Sequence, residues 1–169
     1  MKTKLLSEAF SIVMVAESDN MAVIVDYSDS LEKDVFGFTD DCFARLGKAF
    51  EPLGRHSFYN DIPGIFDHFW CLISDGCVKG TVAVKRMDDS TAELKALYLA
   101  SELRGKGYGH KLLDTAVSYA KESGYKRVVL DSMAIYEDAM RLYERYGFKH
   151  IPRYNHNSYA DIFMEYSLL

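Results

Sequence analysis

Cysteine and proline are scarce in this sequence of 169 residues, which contains three of each. Cys42, Cys71 and Cys77 are odd in number and show no C-x-x-C spacing, so the sequence predicts neither a disulfide framework nor a cysteine-ligated metal. Reduced thiols are typical of a cytoplasmic protein. Long hydrophobic runs are also missing, because no segment reaches the roughly 20 apolar residues of a membrane-spanning helix. We therefore expect no membrane partner.

Metal-binding and nucleic-acid-binding patterns are missing as well. The five histidines show no spacing such as H-E-x-x-H, so we expect no metal site. The net charge of −5 argues against a nucleic-acid partner. The charge is uneven, since residues 1–93 carry 9 basic and 16 acidic side chains and residues 94–169 carry 11 and 9. Residues 94–169 therefore carry a net positive charge, which suits a polyanionic ligand better than the net negative charge of residues 1–93.

The length predicts a single domain over residues 1–169, and a content of 49% hydrophobic residues is enough for a substantial core. The coarse pattern is mixed α/β. We expect an opening strand at about 11–16 rather than a signal peptide, because Glu8 interrupts the apolar stretch and no cleavage site follows.

The next segments favour helices followed by a loop. Apolar residues at helical spacing predict a helix near 19–33, although the run Val23-Ile24-Val25 locally favours a strand. A second helix is predicted near 39–49. Prolines and glycines then indicate a loop over residues 51–64.

The rest of the chain reads as a hairpin followed by a β-α-β unit. Two apolar runs flank Ser74-Asp75-Gly76, which is a hairpin signal. The predicted strands are 69–73, 80–84, 92–99, 127–131 and 160–168, and the predicted helices are 108–123 and 136–146.

The most informative segment is Arg-Gly-Lys-Gly-Tyr-Gly at residues 104–109, between the strand 92–99 and the helix that begins near Tyr108. Glycines let a backbone approach an anion, and a helix N-terminus adds partial positive charge at the same place. The segment predicts a phosphate site. It is not a Walker A loop, because no Lys-Ser or Lys-Thr follows, and His110 stands where a dinucleotide fingerprint has its third glycine.

The spacing of Arg104, Gly107 and Gly109 resembles the R/Q-x-x-G-x-G/A pyrophosphate loop of the GNAT superfamily of N-acyltransferases. The A-x-x-L-Y-x-x-x-G-F stretch at residues 139–148 is similar to the family's second signature. The resemblance is clear from Glu93 to Phe148 and extends less specifically from about Asp75 to the C-terminus. The chain is identified as a member of that superfamily with an unassigned substrate.

The resemblance implies a GNAT fold with an antiparallel first half and a β-α-β second half. Strands four and five would splay apart around the pantetheine arm of acetyl-CoA, and backbone groups of the fourth strand would bind that arm. Tyr136 stands where many members have an asparagine that contacts pantetheine, which puts that one contact in doubt. The cofactor-binding residues implied in this way are Leu97, Tyr98, Leu99, Arg104, Gly105, Lys106, Gly107, Tyr108, Gly109, His110 and Tyr136.

The reaction needs a proton acceptor for the amine and a proton donor for the leaving thiolate. Glu93 stands at the family's usual general-base position, and Asp131 is the second candidate. The structural alternative for Glu93 is a strand-end carboxylate in solvent or an ion pair with Lys95. Tyr143 falls where the family places a tyrosine hydroxyl beside the thioester sulfur, although a buried core aromatic is the commoner fate of a helical tyrosine.

The predicted function is transfer of the acetyl group from acetyl-CoA directly to a primary amine of a small molecule or a protein. The alternative is an acyl-CoA-binding sensor or interaction domain that kept the fold without turnover. A third interpretation is a nucleotide-binding module that would bind ATP or NAD as well as acetyl-CoA. The resemblance allows a homodimer as well as a monomer.

Overall fold

A mixed sheet of seven strands runs through residues 21–169, the part of the chain that the computed structural model describes. Its strands are β1 Val23–Asp26, β2 His68–Ser74, β3 Cys77–Arg86, β4 Thr91–Leu99, β5 Arg127–Ser132, β6 Lys149–His150 and β7 Ile162–Ser167. Their order across the sheet is β1-β2-β3-β4-β5-β7-β6. All neighbours are antiparallel except β4 and β5, which are parallel. This arrangement confirms the predicted fold class.

Helices cover both faces of the sheet. They are α1 Glu32–Arg45, α2 Ile62–Ile65, α3 Tyr108–Glu122 and α4 Glu137–Tyr146, with short 3₁₀ turns at Asp29–Leu31, Ser57–Asp61 and Ser101–Leu103. One apolar core lies under α3, where Leu112 and Leu113 pack with Val82 and Val128 of the sheet. A second core lies on the opposite face, where Val35 of α1 packs among residues of the other helices and strands. The described part is therefore a three-layer α/β/α sandwich.

The prediction of a helix near 19–33 was wrong. Val23–Asp26 form strand β1, which pairs with β2 in the register Val23↔Ile73. The β-branched run fits a pleated strand better than a helix, and the edge of β2 supplies the hydrogen-bond partners. The predicted strand at 11–16 and the signal-peptide question lie outside the described residues.

The boundaries of the following elements also differ from the prediction. Helix α1 begins at Glu32 and ends at Arg45, so the predicted span of 39–49 was displaced toward the C-terminus. The segment 51–64 is not only a loop, because it contains a 3₁₀ turn and the start of α2. The Asp61 side chain accepts a hydrogen bond from the Gly64 amide at 3.1 Å, which caps α2 and fixes this turn.

The hairpin and the second half match the sequence pattern. Asp75 and Gly76 have φ of 52° and 72°, which a two-residue hairpin turn requires. Helix α3 ends as predicted at a left-handed Gly124 with φ of 87°, and the Tyr125 amide reaches back to the Ala120 carbonyl. Strand β6 was not predicted, because two residues carry no periodic signal.

Strands β4 and β5 separate partway along their length. Their parallel pairs are Thr91↔Arg127, Ala92↔Val128 and Glu93↔Val129, whereas β4 continues to Leu99 and β5 to Ser132. The sheet is therefore open between these strands beyond Glu93, as the resemblance implied.

A bulge in β4 lies at the start of this opening. Between the pairs Ala83↔Lys95 and Thr81↔Tyr98, β4 has two residues and β3 has one. Ala96 has the left-handed φ of 51°, and its carbonyl accepts a hydrogen bond from Thr81 Oγ1 at 2.6 Å. The extra residue shifts the alternation, so Lys95 and Ala96 both face the α1 side of the sheet.

Candidate active site

The loop between β4 and α3 presents a row of unpaired backbone amides. Gly105 and Gly107 have φ of 72° and 85°, which only glycine adopts without strain. No backbone N–H of residues 105–110 donates a hydrogen bond to another residue in the described range 21–169. Within residues 21–169 no side chain caps α3, whose first helical bond to the loop runs from Lys111 to Gly107. Amides arranged in this way can bind an anion such as a diphosphate.

Positive side chains flank these amides. The Arg104 guanidinium is half exposed and lies 3.9 Å from an Asp138 oxygen, which is a weak pairing. Lys106 is exposed. Tyr108 points elsewhere, because its hydroxyl accepts a hydrogen bond from the Ala22 amide at 3.2 Å. The His110 ring packs near the ring of Tyr146 at 5.3 Å.

Strand β4 directs backbone groups toward the opening. The Ala100 amide donates to the Lys79 carbonyl of β3, and Tyr98 is paired with Thr81. Because backbone groups of successive strand residues point to opposite edges, those of Leu97 and Leu99 point away from β3, toward the gap. An extended chain with amide groups could hydrogen-bond there as an added strand.

Glu93, Lys95 and Asp131 form a buried charge cluster at the start of the gap. Lys95 Nζ lies 3.0 Å from Glu93 Oε1 and 3.0 Å from Asp131 Oδ1, and the two carboxylates are only 4% and 8% exposed. Burial opposes the charge on Lys95, but Glu93 and Asp131 together raise its pKa. The structural alternative stated for Glu93, an ion pair with Lys95, is therefore present.

Residues 154–157 of the C-terminal tail complete the cluster, although their sequence predicts no contact with Glu93 or Asp131. Tyr154 donates to Glu93 Oε1 at 2.8 Å, and the Asn155 and Asn157 side chains donate to Asp131 Oδ2 at 2.7 and 3.1 Å. Burial alone would raise the pKa of Asp131, but the Lys95 ammonium and these amides lower it. These contacts could not be predicted from the sequence, because they join residues that are distant in the chain and form no local motif.

Tyr143 lies on α4 with its side chain buried and faces the cleft. Its hydroxyl forms no hydrogen bond with any residue of the described range. Burial and the nearby Asp131 charge raise the pKa of Tyr143 above its usual range, so the phenol stays protonated at neutral pH. A protonated hydroxyl that has no other acceptor can donate a hydrogen bond or its proton to a leaving group.

Tyr136 lies at the N-terminus of α4, and the Lys48 ammonium is 4.5 Å from the centre of its ring. Its hydroxyl is buried and has no hydrogen-bond partner within residues 21–169. An unpaired buried hydroxyl costs free energy, so a ligand amide or carbonyl would satisfy it.

One open cleft of about 2220 Å³ joins these groups. It is larger than the roughly 300–1,000 Å³ of a typical small-molecule pocket, so it has room for two substrates. The side chains of Lys106 and Tyr108 do not line it. The sequence-predicted residues that line it are Glu93, Leu97, Tyr98, Leu99, Arg104, Gly105, Gly107, Gly109, His110, Asp131, Tyr136 and Tyr143.

Neither a metal centre nor a membrane-crossing helix emerges within residues 21–169. No group of three or more histidine, cysteine or acidic side chains in that range is placed to hold a metal ion. None of its helices is both long and apolar enough to cross a membrane.

Curated relatives match the part of the chain that carries this site. Human N-acetyltransferase 8B is 40% identical over 86 residues, which cover 48% of this chain and 38% of that protein. Human N-acetylaspartate synthetase is 36% identical over 89 residues, which cover 52% of this chain and 30% of that protein. The chain thus spans well under two thirds of the length of either relative.

Solved structures share the fold over most of the chain. An acetyltransferase of the GNAT family from Staphylococcus aureus has a TM-score of 0.79 at 19% identity and covers 88% of this chain and 100% of its own. A GNAT acetyltransferase from Brucella melitensis, solved with acetyl-CoA, has a TM-score of 0.65 at 17% identity and covers 88% of each. The sequence profile of the Acetyltransferase (GNAT) family matches residues 34–148. This chain therefore belongs to the GNAT acetyltransferase family.

Proposed function

We propose that the protein transfers the acetyl group of acetyl-CoA directly to a primary amine of a small molecule or a protein. The observation that carries this proposal is the row of unpaired amides at residues 105–110, next to the gap between β4 and β5. A diphosphate attached to an extended amide-containing arm matches both features at once. The Brucella melitensis structure with acetyl-CoA supports the choice of donor.

In this proposal the amides of residues 105–110 bind the pyrophosphate of coenzyme A, and Arg104 and Lys106 add positive charge. The free backbone groups of Leu97 and Leu99 bind the pantetheine arm, and an amide near Leu99 polarises the thioester carbonyl. The unpaired Tyr136 hydroxyl takes the place of the family's asparagine against the arm.

The proton transfers are assigned to the cluster at the gap. An alkylammonium has a pKa of about 10 and a thiol a pKa of about 8.5, so the amine must lose a proton before it attacks the carbonyl carbon. Glu93 accepts that proton, directly or through a water, with Asp131 as the second candidate. The C–S bond then breaks, and the Tyr143 hydroxyl protonates the leaving thiolate or donates a hydrogen bond to it.

The acceptor class is open between small amines and protein amines. The name of the relative N-acetylaspartate synthetase specifies an amino acid product, which supports amino acids among the acceptors of this chain. We place the protein in the cytoplasm, supported by three cysteines that are all free thiols. Sedimentation equilibrium distinguishes a monomer from the homodimer that the resemblance allows.

Calorimetric titration with acetyl-CoA tests the donor, with ATP and NAD as controls. We expect a dissociation constant in the micromolar range, about −8 kcal/mol, and much weaker binding of both controls. Equal binding of ATP or NAD, or no binding of acetyl-CoA up to about 1 mM, about −4 kcal/mol, would contradict the proposal. Thiol release measured across a panel of amines then tests turnover.

The non-catalytic alternative is favoured by one observation. Glu93 Oε1 is already engaged by Lys95 and Tyr154, so this oxygen does not face the cleft as a free base. If acetyl-CoA binds but no amine in the panel releases free thiol, the protein is an acyl-CoA-binding domain rather than an enzyme.

A further inference from the structure

Lys85 is a cationic side chain on the floor of the cleft that the proposed reaction does not use. It lies on β3 directly opposite Glu93 of β4, so both side chains leave the same face of the sheet. Lys85 is half-buried and lines the same cleft as Glu93. Among residues 21–169, no carboxylate lies within 4 Å of its ammonium and no hydrogen bond is formed.

The neighbouring cations of the cleft are already engaged. Lys95 pairs with Glu93 and Asp131, Arg55 pairs with Glu51 at 3.0 Å, and Lys48 lies over the ring of Tyr136. The α1 carboxylates that line the cleft are exposed at its rim, where water screens them. Lys85 is thus a half-buried charge near Glu93 that lacks a counter-charge in the described part of the chain. Removing an ammonium from water without a counter-charge is unfavourable.

We propose that Lys85 binds an anionic group of the acceptor and that the acceptor is an α-amino acid or a similar amine with a carboxylate beside its nitrogen. This inference rests on the function proposed above. The Cβ atoms of directly opposite strand residues are about 5 Å apart, and one carbon separates the amine from the carboxylate of an α-amino acid. Glu93 can therefore receive the proton of the amine while Lys85 holds the carboxylate.

The test compares α-amino acids with their α-amides, which keep the amine and the side chain but lose the negative charge. We measure kcat and KM of acetylation for such pairs in the wild-type protein and in Lys85→Gln. The wild-type protein should prefer the acid by at least about tenfold in kcat/KM, which is 1.4 kcal/mol. Lys85→Gln should remove this preference by raising KM for the acid and should leave the amide unchanged.

Arg86→Gln is the matched control, because Arg86 follows Lys85 on β3, points to the other face and pairs with Asp89. Arg86→Gln should keep the preference for the acid. Lys85→Arg should recover most of the preference that Lys85→Gln loses. Equal or better acetylation of the amides by the wild-type protein would overturn the inference. An equal loss for acid and amide in Lys85→Gln would also overturn it, because Lys85 would then only balance the charge of Glu93. If neither class is acetylated while another amine of the panel releases thiol, the inference fails and the proposed function stands. If no amine of the panel releases thiol, both fail.

Discussion

Tyr143 shows at the scale of one residue how burial and position keep a phenol protonated. Its phenol is buried beside Asp131, which raises its pKa, and its hydroxyl has no partner in the described range. Glu93 shows the opposite case, because one of its oxygens is already bound by Lys95 and Tyr154. The sequence pattern predicted a catalytic role for both residues, but it could not predict which side chains surround them.

Tyr143→Phe should lower kcat about a hundredfold, in the range of general acid catalysis. The KM for acetyl-CoA should change little, because the ring that packs in the core is retained. Steady-state kinetics of thiol release checks this.

Tyr146→Phe is the matched control, because Tyr146 lies on the same helix and donates to Asp114 at 2.9 Å. Its kcat should stay near that of the wild-type protein. If Tyr143→Phe keeps full turnover, the proton for the thiolate comes from another donor.

At the scale of the element, the glycine-rich loop before α3 and the N-terminus of α3 act together as one structural unit. The left-handed Gly107 lets the chain turn into the helix without a side-chain cap, and the uncapped amides stay free for an anion. A Cβ at Gly107 would meet nothing within 4 Å, so the space beside these amides is open.

Gly107→Glu should reduce the affinity for acetyl-CoA by well over tenfold, about 1.4 kcal/mol or more, because a carboxylate would lie at the proposed pyrophosphate site. Calorimetric titration measures the loss. Gly107→Ala carries the same backbone strain, about 1–2 kcal/mol for a left-handed residue, but no charge, and should bind more tightly than Gly107→Glu. Equal affinities of the two variants would show that the ligand lies elsewhere.

The elements differ in how far their own sequence determined them. The turn at Asp75-Gly76, α3 and β5 carry strong local signals and were predicted within one residue, whereas β3 begins three residues before its predicted start at residue 80. The segment Val23–Asp26 was mistaken for a helix because helical spacing and β-branched composition coincide there. Pairing with the edge of β2 decided between them, and that partner lies more than 40 residues away in the chain.

At the scale of the whole molecule, the cluster of Glu93, Lys95 and Asp131 ties together parts of the chain that are distant in sequence. Lys95 bridges β4 and β5 beyond their last backbone pair, and Tyr154 and Asn155 attach the C-terminal tail to the same cluster. The gap is therefore stabilised by side chains where backbone pairing has ended. A charge network at that place makes the stability of the fold dependent on pH.

Lys95→Met should lower the free energy of unfolding at pH 7 by about 3 kcal/mol, because removing one partner of a buried pair leaves uncompensated charge. The pKa of Asp131 is lowered in the folded protein, so its contribution is present at neutral pH and is lost as the pH falls below about 4. In the variant the two carboxylates repel each other, so its stability should rise as the pH falls from 7 toward 5. Urea unfolding at both pH values measures the difference.

Lys79→Met is the control, because it removes an ion pair at the surface. Lys79 Nζ lies 2.8 Å from Glu102 Oε1, and the two side chains are 33% and 51% exposed. Its unfolding should be almost unchanged at either pH. A Lys95→Met variant as stable as the wild-type protein would show that the cluster contributes little to the fold.

The sequence by itself determined the glycine-rich turn at residues 104–109, the β-α-β order of the second half and the family, because glycine spacing, helix periodicity and turn residues are local properties. Tertiary structure decided the strand at Val23–Asp26, the bulge at Ala96, the engagement of Glu93 by Lys95 and Tyr154, and the placement of Lys85 opposite Glu93. These features arise from register and from contacts between distant segments. Hydrogen-bond pairing and charge compensation across the sheet fix them, and neither can be read from a stretch of neighbouring residues.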